Sequence, residues 1–299
     1  MFLDIDKINP SSIASVDDSG EELTYGKLCS FCTEFGNQIG HRTLIFILSQ
    51  NSNASLMGYI ASLSNRIVPL LISVATDREL YERFVSMYHP EYLWAPKSFT
   101  ETTQFEICFE NRDYCLMRTG LTAPELHDDL SLLLPTSGST GSPKLVRHSY
   151  RNLEANAVNV GGIFNIDPTH RTMAALPIHY TMGRSVIDSH LKAGATLILC
   201  GKSLLDPIFW KRLKTEGVTS FTGVPYSYEI MTKMRFLRMD LPDLQIITQG
   251  GGKLSEDLFK SLALYAQEKG KKFIPTYGQT ECSARMAYLP AEYAMTKTC

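Results

Sequence analysis

Short runs of Val, Ile and Leu alternate along most of the chain with longer segments whose apolar residues recur every three to four positions. Continuous apolar runs of strand length fit strands buried on both faces, and the longer period fits helices packed on one side. The pattern predicts a helix beginning near Tyr25, strands at 44–48, 67–72 and 92–95, and helices at 54–64 and 77–88. Asp77 marks the start of the last of these helices and His89-Pro90 its end. After a more polar stretch, 132–134 reads as a buried strand running into a loop at 135–144, with a helix from about Ser149. Strands at 172–176, 195–199, 220–223, 245–248 and 273–276 then alternate with helices at 185–192, 207–216, 227–234 and 255–269.

Strand–helix alternation at this spacing predicts an α/β fold with parallel sheets flanked by helices. Ligands in such folds sit beyond the carboxyl ends of strands, where the loops gather. Two unusual loops follow predicted strands here, one at 135–144 and one after 273–276. No internal repeat and no low-complexity linker interrupts the pattern.

Composition narrows the function classes. The 299 residues suit one large domain or two moderate ones, and 44% hydrophobic residues suffice for a substantial core. A formal charge of −2 offers no general attraction to nucleic acid or anionic lipid, so a phosphate-bearing ligand must be held by local geometry. The longest apolar runs are too short to span a bilayer, and the acidic N-terminus lacks signal-peptide features. A soluble, cytoplasmic protein is the expectation, with no nucleic-acid or membrane partner. Seven scattered cysteines fit reduced thiols, and Cys29 with Cys32 read as ordinary residues of a helix, not as a zinc or redox pair.

The stretch Thr136-Ser137-Gly138-Ser139-Thr140-Gly141-Ser142-Pro143-Lys144 carries the most chemistry. Glycines let backbone N–H groups converge on an anion, hydroxyls add donors, and Lys144 adds a point charge suited to phosphate oxygens. The bland reading is a Ser-rich turn between strand and helix. A Walker A loop is excluded: two residues separate Gly141 from Lys144, Leu145 stands where a Mg²⁺-binding hydroxyl belongs, and Pro143 lacks an N–H.

This segment resembles the phosphate loop of the adenylate-forming superfamily, which includes acyl-CoA synthetases, luciferases and peptide-synthetase adenylation domains. The pattern there is roughly T-S-G-[ST]-T-G-x-P-K-G-V, and the chain departs from it at Leu145, where the family has glycine. Thr276-Tyr277-Gly278-Gln279-Thr280-Glu281 matches the family's Y-G-x-T-E motif in full. Gln249-Gly250-Gly251-Gly252-Lys253 resembles its glycine turn, and Asn51-Ser52 and the segment around Tyr25 match less specific landmarks. The resemblance runs from about residue 20 to the end. It implies the layered α/β/α/β/α large N-terminal domain of the acyl-CoA synthetase-like fold over 1–299, with subdomains of about 1–130 and 131–299.

The resemblance also implies an activity. ATP and a small carboxylic acid would give an acyl-adenylate, whose acyl group passes to coenzyme A or to the pantetheine of an acyl carrier protein. Thr136, Ser137, Gly138, Ser139, Thr140, Gly141 and Lys144 would hold the β- and γ-phosphates. Gly250, Gly251, Gly252, Thr276, Tyr277, Gly278 and Gln279 would border the nucleotide, Thr280 would donate to the α-phosphate, and Glu281 would bind Mg²⁺. Lys144, Thr280 and Glu281 are the candidate catalytic residues.

The segment Leu176-Pro177-Ile178-His179-Tyr180-Thr181-Met182-Gly183 occupies the place of the family's L-P-x-x-H-x-x-G stretch. Counting from Pro177 puts Tyr180, not His179, in the histidine column. His179 is either a substrate contact or a satisfied structural residue; Tyr180, Met182, Gly183 and Tyr226 complete the candidate acid pocket. Thr181 stands where amino-acid-activating members carry Asp, so a neutral pocket and a plain or hydroxylated acyl group are expected. Arg285, four residues past Glu281, is either a group that reaches a carboxylate or phosphate or, by default, a surface ion pair. The T-G-D segment, the hinge and the C-terminal domain with its catalytic lysine are absent, so a truncated, inactive ligase is expected. A non-catalytic nucleotide- or acyl-binding domain derived from such ligases is the alternative.

Overall fold

The computed structural model describes residues 1–136 and 144–297. The chain opens with an antiparallel pair, β1 (Ile13–Val16) and β2 (Glu22–Thr24), followed by helix α1 (Tyr25–Ile39). A first run of alternating elements gives β3 (Leu44–Ser49), α2 (Asn53–Ser64), β4 (Val68–Ser73), α3 (Arg78–Tyr88) and β5 (Tyr92–Pro96). The hairpin β6 (Glu106–Asn111) and β7 (Tyr114–Arg118) comes next, then β8 (Leu130–Pro135) and β9 (Leu145–Ser149). The remainder is α4 (Tyr150–Phe164), β10 (Arg171–Ala174), α5 (Thr181–Lys192), β11 (Thr196–Leu199), α6 (Pro207–Thr215) and β12 (Ser220–Gly223). It closes with α7 (Pro225–Lys233), β13 (Ile246–Gln249), α8 (Glu256–Glu268), β14 (Lys272–Tyr277) and β15 (Ala287–Tyr288).

These strands form two sheets, ordered β6-β7-β5-β3-β4-β8-β9 and β15-β14-β13-β12-β10-β11-β1-β2. Strand β3 shows why the layers stack as they do. All six of its residues are buried: Ile45 and Ile47 pack toward one core, Leu44, Phe46 and Leu48 toward another. A strand with both faces covered reads as an unbroken apolar run, which is how 44–48 stood out. The central core joins Ile45 and Trp94 of the first sheet to Leu197 and Leu199 of the second, with Phe35, Tyr59, Leu153 and Ile187 from α1, α2, α4 and α5 between them. Phe84 of α3 covers the outer face of the first sheet; Phe209, Tyr228 and Phe259 of α6, α7 and α8 cover that of the second. The result is the expected α/β/α/β/α layering.

The sheets are parallel in their centres and antiparallel at their edges, through β5–β7–β6, β8–β9, β1–β2 and β14–β15. The expected turn from strand 132–134 into a helix is therefore a hairpin. Strand β9 lies between the loop and α4, and Ser149 caps α4 by accepting from the Asn152 N–H at 3.2 Å. The start of α4 is thus a full strand removed from the loop and its dipole is not spent on it. Cys29 and Cys32 lie within α1 as free thiols, and burial pushes Cys32 up to about 12. Among the described residues no helix is long and apolar enough to cross a membrane.

Candidate functional site

Four strands of the second sheet, β10, β12, β13 and β14, run parallel as neighbours or near neighbours, so their carboxyl ends open on one edge. The segments singled out by sequence begin there: 176–183 after β10, 224–226 after β12, 250–252 after β13 and 278–281 after β14. Chain direction alone brings them together.

The glycine turn after β13 is held from both sides. Gln249 Nε2 donates to the Gly252 carbonyl at 2.6 Å, and Thr276 Oγ1 donates to the Gln249 carbonyl at 2.8 Å. A Cβ on Gly250 would lie 2.7 Å from Thr276 Oγ1, which its hydrogen bond holds in place, and Gly251 has φ +76°, so both positions favour glycine. Gly278 is less forgiving, because a Cβ there would lie 2.5 Å from the Arg285 backbone N, which cannot swing aside.

Two cavities meet at this edge. The larger, about 440 Å³, is lined by Gly251, Gly252, Thr276, Tyr277, Gly278 and Tyr288, among others. Tyr277 is 62% exposed, so its aromatic side chain is largely open to solvent. The smaller, about 270 Å³, shares Gly251 and Gly278 with the first and adds Pro135, Tyr180, Thr181, Met182, Gln279 and Thr280. Thr181 Oγ1 is buried with no hydrogen-bond partner. Pro135 ends β8, so the Lys144 hairpin abuts this second cavity; Thr136 N–H donates to the Lys144 carbonyl at 3.4 Å and joins the hairpin's two sides. Strand β9 also packs on the 3-10 turn formed by Thr280–Cys282. Lys144 and Glu281 are both exposed. Ser137, Gly138, Ser139, Thr140 and Gly141 lie outside the described residues. Among the described residues no group of three or more His, Cys, Asp or Glu is placed to hold a metal ion.

Not every candidate gathers here. Tyr226, 65% exposed, lines a separate cavity of about 200 Å³ with Leu176 and Lys202. Gly183 packs inside α5, where a Cβ would meet the Pro177 carbonyl at 2.2 Å. His179 turns to the first sheet: Ser49 Oγ donates to the Ile72 carbonyl at 3.0 Å and so accepts from His179 Nδ1 at 3.2 Å. Burial pushes this imidazole down to about 4, so it is neutral near pH 7.

A model of the AMP-binding enzyme family matches residues 6–299. The chain belongs to this family. Among AMP-binding relatives, one of the linear gramicidin synthase proteins of Brevibacillus parabrevis is 27% identical over 278 residues, 87% of this chain and 3% of that protein. A feruloyl-CoA synthase from an Amycolatopsis species is 30% identical over 174 residues, 57% of this chain and 34% of the other. Two solved folds superpose with a TM-score of 0.79. One is a Vibrio cholerae adenylation domain in complex with glycyl-adenosine-5'-phosphate, at 17% identity, with 97% of this chain and 60% of that one covered. The other is O-succinylbenzoate coenzyme A synthetase from Bacillus subtilis in complex with AMP, at 19% identity, covering 99% and 62%. The chain thus spans less than two thirds of the length of each of these relatives.

Three residues shape the edge of this AMP-binding fold in ways the sequence did not show: Asn51 was only a landmark, Asn156 was missed, and Arg285 was read by default as surface. Asn51 Nδ2 donates to the carbonyls of Ala174, Leu176 and Cys200 at 3.0, 3.2 and 3.1 Å, tying the end of the first sheet to the ends of β10 and β11. Asn156 of α4 donates to the Ala284 carbonyl at 2.7 Å and accepts from Ser185 Oγ of α5 at 2.8 Å. Arg285 is not a surface ion pair: it is 5% exposed, and burial lowers it to about 9. A charged residue in a short polar stretch reads as surface, and only the positive-φ turn at Ser283 and Arg285 (φ 65° and 63°) directs it inward.

Proposed function

We propose that this chain is the nucleotide- and acid-binding part of a ligase that activates a carboxylic acid as its adenylate and passes the acyl group to a thiol. The observation that carries the reading is the pair of cavities sharing Gly251 and Gly278, with the Lys144 hairpin abutting the smaller one. One cavity offers glycines for close backbone approach and an open Tyr277 face for adenine. The other offers a partly apolar wall and the unpartnered Thr181 hydroxyl for the acid. Their common wall brings an acid carboxylate beside the α-phosphate of ATP.

In this reading a carboxylate oxygen attacks the α-phosphorus, pyrophosphate leaves, and a thiol later displaces AMP. The protein's part is positioning and neutralisation of phosphate charge. Thr280 donates to the α-phosphate, while Thr136, Lys144 and the loop between them hold the β- and γ-phosphates. Glu281, an exposed carboxylate, suits Mg²⁺, which takes one or two carboxylates plus phosphate oxygens. When bound, the ion neutralises charge on those oxygens. The acceptor is coenzyme A or a carrier protein's pantetheine.

Titration with ATP–Mg²⁺ and with AMP, alongside pyrophosphate exchange over short acyl, hydroxyacyl and amino acids, tests the reading. Lys144→Ala and Glu281→Ala should weaken ATP–Mg²⁺ about tenfold or more and leave AMP nearly as it was. Absence of any nucleotide binding refutes the proposal. ATP binding without exchange for any acid, in the complete gene product, assigns the protein to the non-catalytic binding class.

A further inference from the structure

A charge lies one side chain behind the candidate acid pocket, whose own lining is neutral. Behind Met182 lies the guanidinium of Arg285, 95% removed from solvent since its exposure is 5%. Its Nη2 donates to Thr222 Oγ1 at 3.0 Å, its Nε faces Met182 Sδ at 3.4 Å, and the group lies 5.2 Å from the Phe164 ring centroid. Nη1 is buried with no partner. The ion pairs among the described residues do not include it, so no carboxylate among those residues answers this charge. A buried guanidinium without a counter-charge is costly, and leaving one of its donors unmade adds to the cost.

The backbone is bent to keep it there. Ser283 and Arg285 both adopt positive φ, and Gly278 leaves no room for a Cβ against the Arg285 N. Such outliers persist where the surroundings over-determine them, commonly at ligand sites. Two neighbours point to the same ligand chemistry. Thr181 lines the cavity with its Oγ1 buried beneath the wall and without a partner, and Tyr180 at the start of the 12-residue α5 makes no side-chain cap, so the helix's positive end lies at the cavity uncapped. In the ligase reading the reacting carboxylate is already placed, beside the α-phosphate that Thr280 holds. Arg285 lies on another side, toward the sheet, where Thr222 Oγ1 pairs with Thr248 Oγ1 at 2.8 Å.

Resting on that reading, we propose that the acid taken by this site is a dicarboxylic acid. Its second carboxylate displaces the Met182 side chain and pairs with Nη1 of Arg285 and the Thr181 hydroxyl. Two free donors match two carboxylate oxygens, and the flexible thioether is the side chain best able to move aside.

Calorimetric titration of the chain, saturated with AMP, with butyrate against succinate, valerate against glutarate and hexanoate against adipate tests this. At least one diacid should bind about 10–100-fold tighter than its monoacid partner. Arg285→Met, a buried side chain of similar length, should bring that ratio to near one, and Arg285→Lys should retain part of it. Should Arg285→Met fail to fold, Thr181→Val serves instead and should lower the ratio severalfold. Monoacids binding as tightly as diacids in the wild type, or an unchanged ratio in the variants, overturns the proposal and leaves the ligase reading standing. Failure of AMP and of every acid to bind overturns the ligase reading itself, and this proposal with it.

Discussion

Lowering the pH from 7.5 to 5 should destabilise this fold through buried neutral histidines. In α5, His190 Nδ1 lies 2.8 Å from the Val186 carbonyl and must donate to it, so Nε2 is the unprotonated nitrogen and accepts from Ser220 Oγ at 3.4 Å. In β9, His148 is 3% exposed and its Nε2 has no partner. Burial lowers His190 to about 3 and His148 to about 4. A histidine lowered on folding contributes stability above its unfolded value near 6.5, and that contribution is lost as pH falls toward the folded value. At pH 5 the loss is about 2 kcal/mol for each of the two, about 4 together, against a typical total of roughly 5–15. His179 acts in the same direction; Asp188, raised by burial to about 6, recovers stability as pH falls and offsets part of the loss, and the half-exposed His41, raised by Glu91, offsets a little more. Urea unfolding at the two pH values reads the difference. His190→Gln keeps a donor for Val186 and removes the titrating ring, so its drop should be smaller by about 2 kcal/mol. Equal urea midpoints at pH 5 and 7.5, or a variant that falls as far as the wild type, refutes the reasoning.

Three further perturbations probe the edge of the second sheet. Gly278→Ala places a Cβ 2.5 Å from a backbone nitrogen that cannot swing away, so a loss of about 1–3 kcal/mol in urea unfolding is expected; a change under about 0.5 would contradict the packing. Asn51→Ala removes the amide that serves three carbonyls from β10, β11 and the segment after β10, and should also cost about 1–3 kcal/mol, with faster hydrogen exchange at those strand ends as the check. Among the described cysteines Cys282 is the exposed one, while burial raises Cys32 to about 12 and Cys200 to about 11. Iodoacetamide should therefore label Cys282 first, and ATP–Mg²⁺ should slow that labelling because Glu281 precedes it; unchanged rates with saturating nucleotide would place the phosphates elsewhere.

Much of this architecture was legible because its central strands are covered on both faces and its helices carry readable ends. The strand at 220–223 was read with its observed bounds, Asp77 caps α3 as expected, and Ser149 caps α4. The edge strands were missed for a physical reason. Strand β6 runs Glu-Ile-Cys-Phe-Glu-Asn with half of its residues exposed and none buried, and β9 carries Arg147 and His148, so neither presents an apolar run. The start of α5 was read four residues late, because Thr-Met-Gly-Arg has neither a capping side chain nor an apolar period. The gathering of the site segments followed from the rule that loops collect at strand carboxyl ends. Which side chains point into the cavities did not follow, since that depends on backbone turns such as the one at Ser283 that no local pattern encodes. Arg285 is the clearest case, a charge whose destination was set by the fold around it.

The first sheet is built from residues 44–149, yet the second takes two strands, β1 and β2, from the first 24 residues and the rest from beyond residue 170. Order along the chain and membership in a sheet therefore disagree. A protein engineer who cut this chain near residue 130 to make interchangeable halves would obtain two damaged pieces. The amino-terminal piece would keep a hairpin with no sheet to join and lose β8 and β9 from its own. The carboxyl-terminal piece would present β11 as an open edge, ready to pair with another chain. Mixed together, such pieces should restore each other only by exchanging strands, so recombination between relatives of this fold is expected to succeed at junctions that move the β1–β2 hairpin together with residues 171–288.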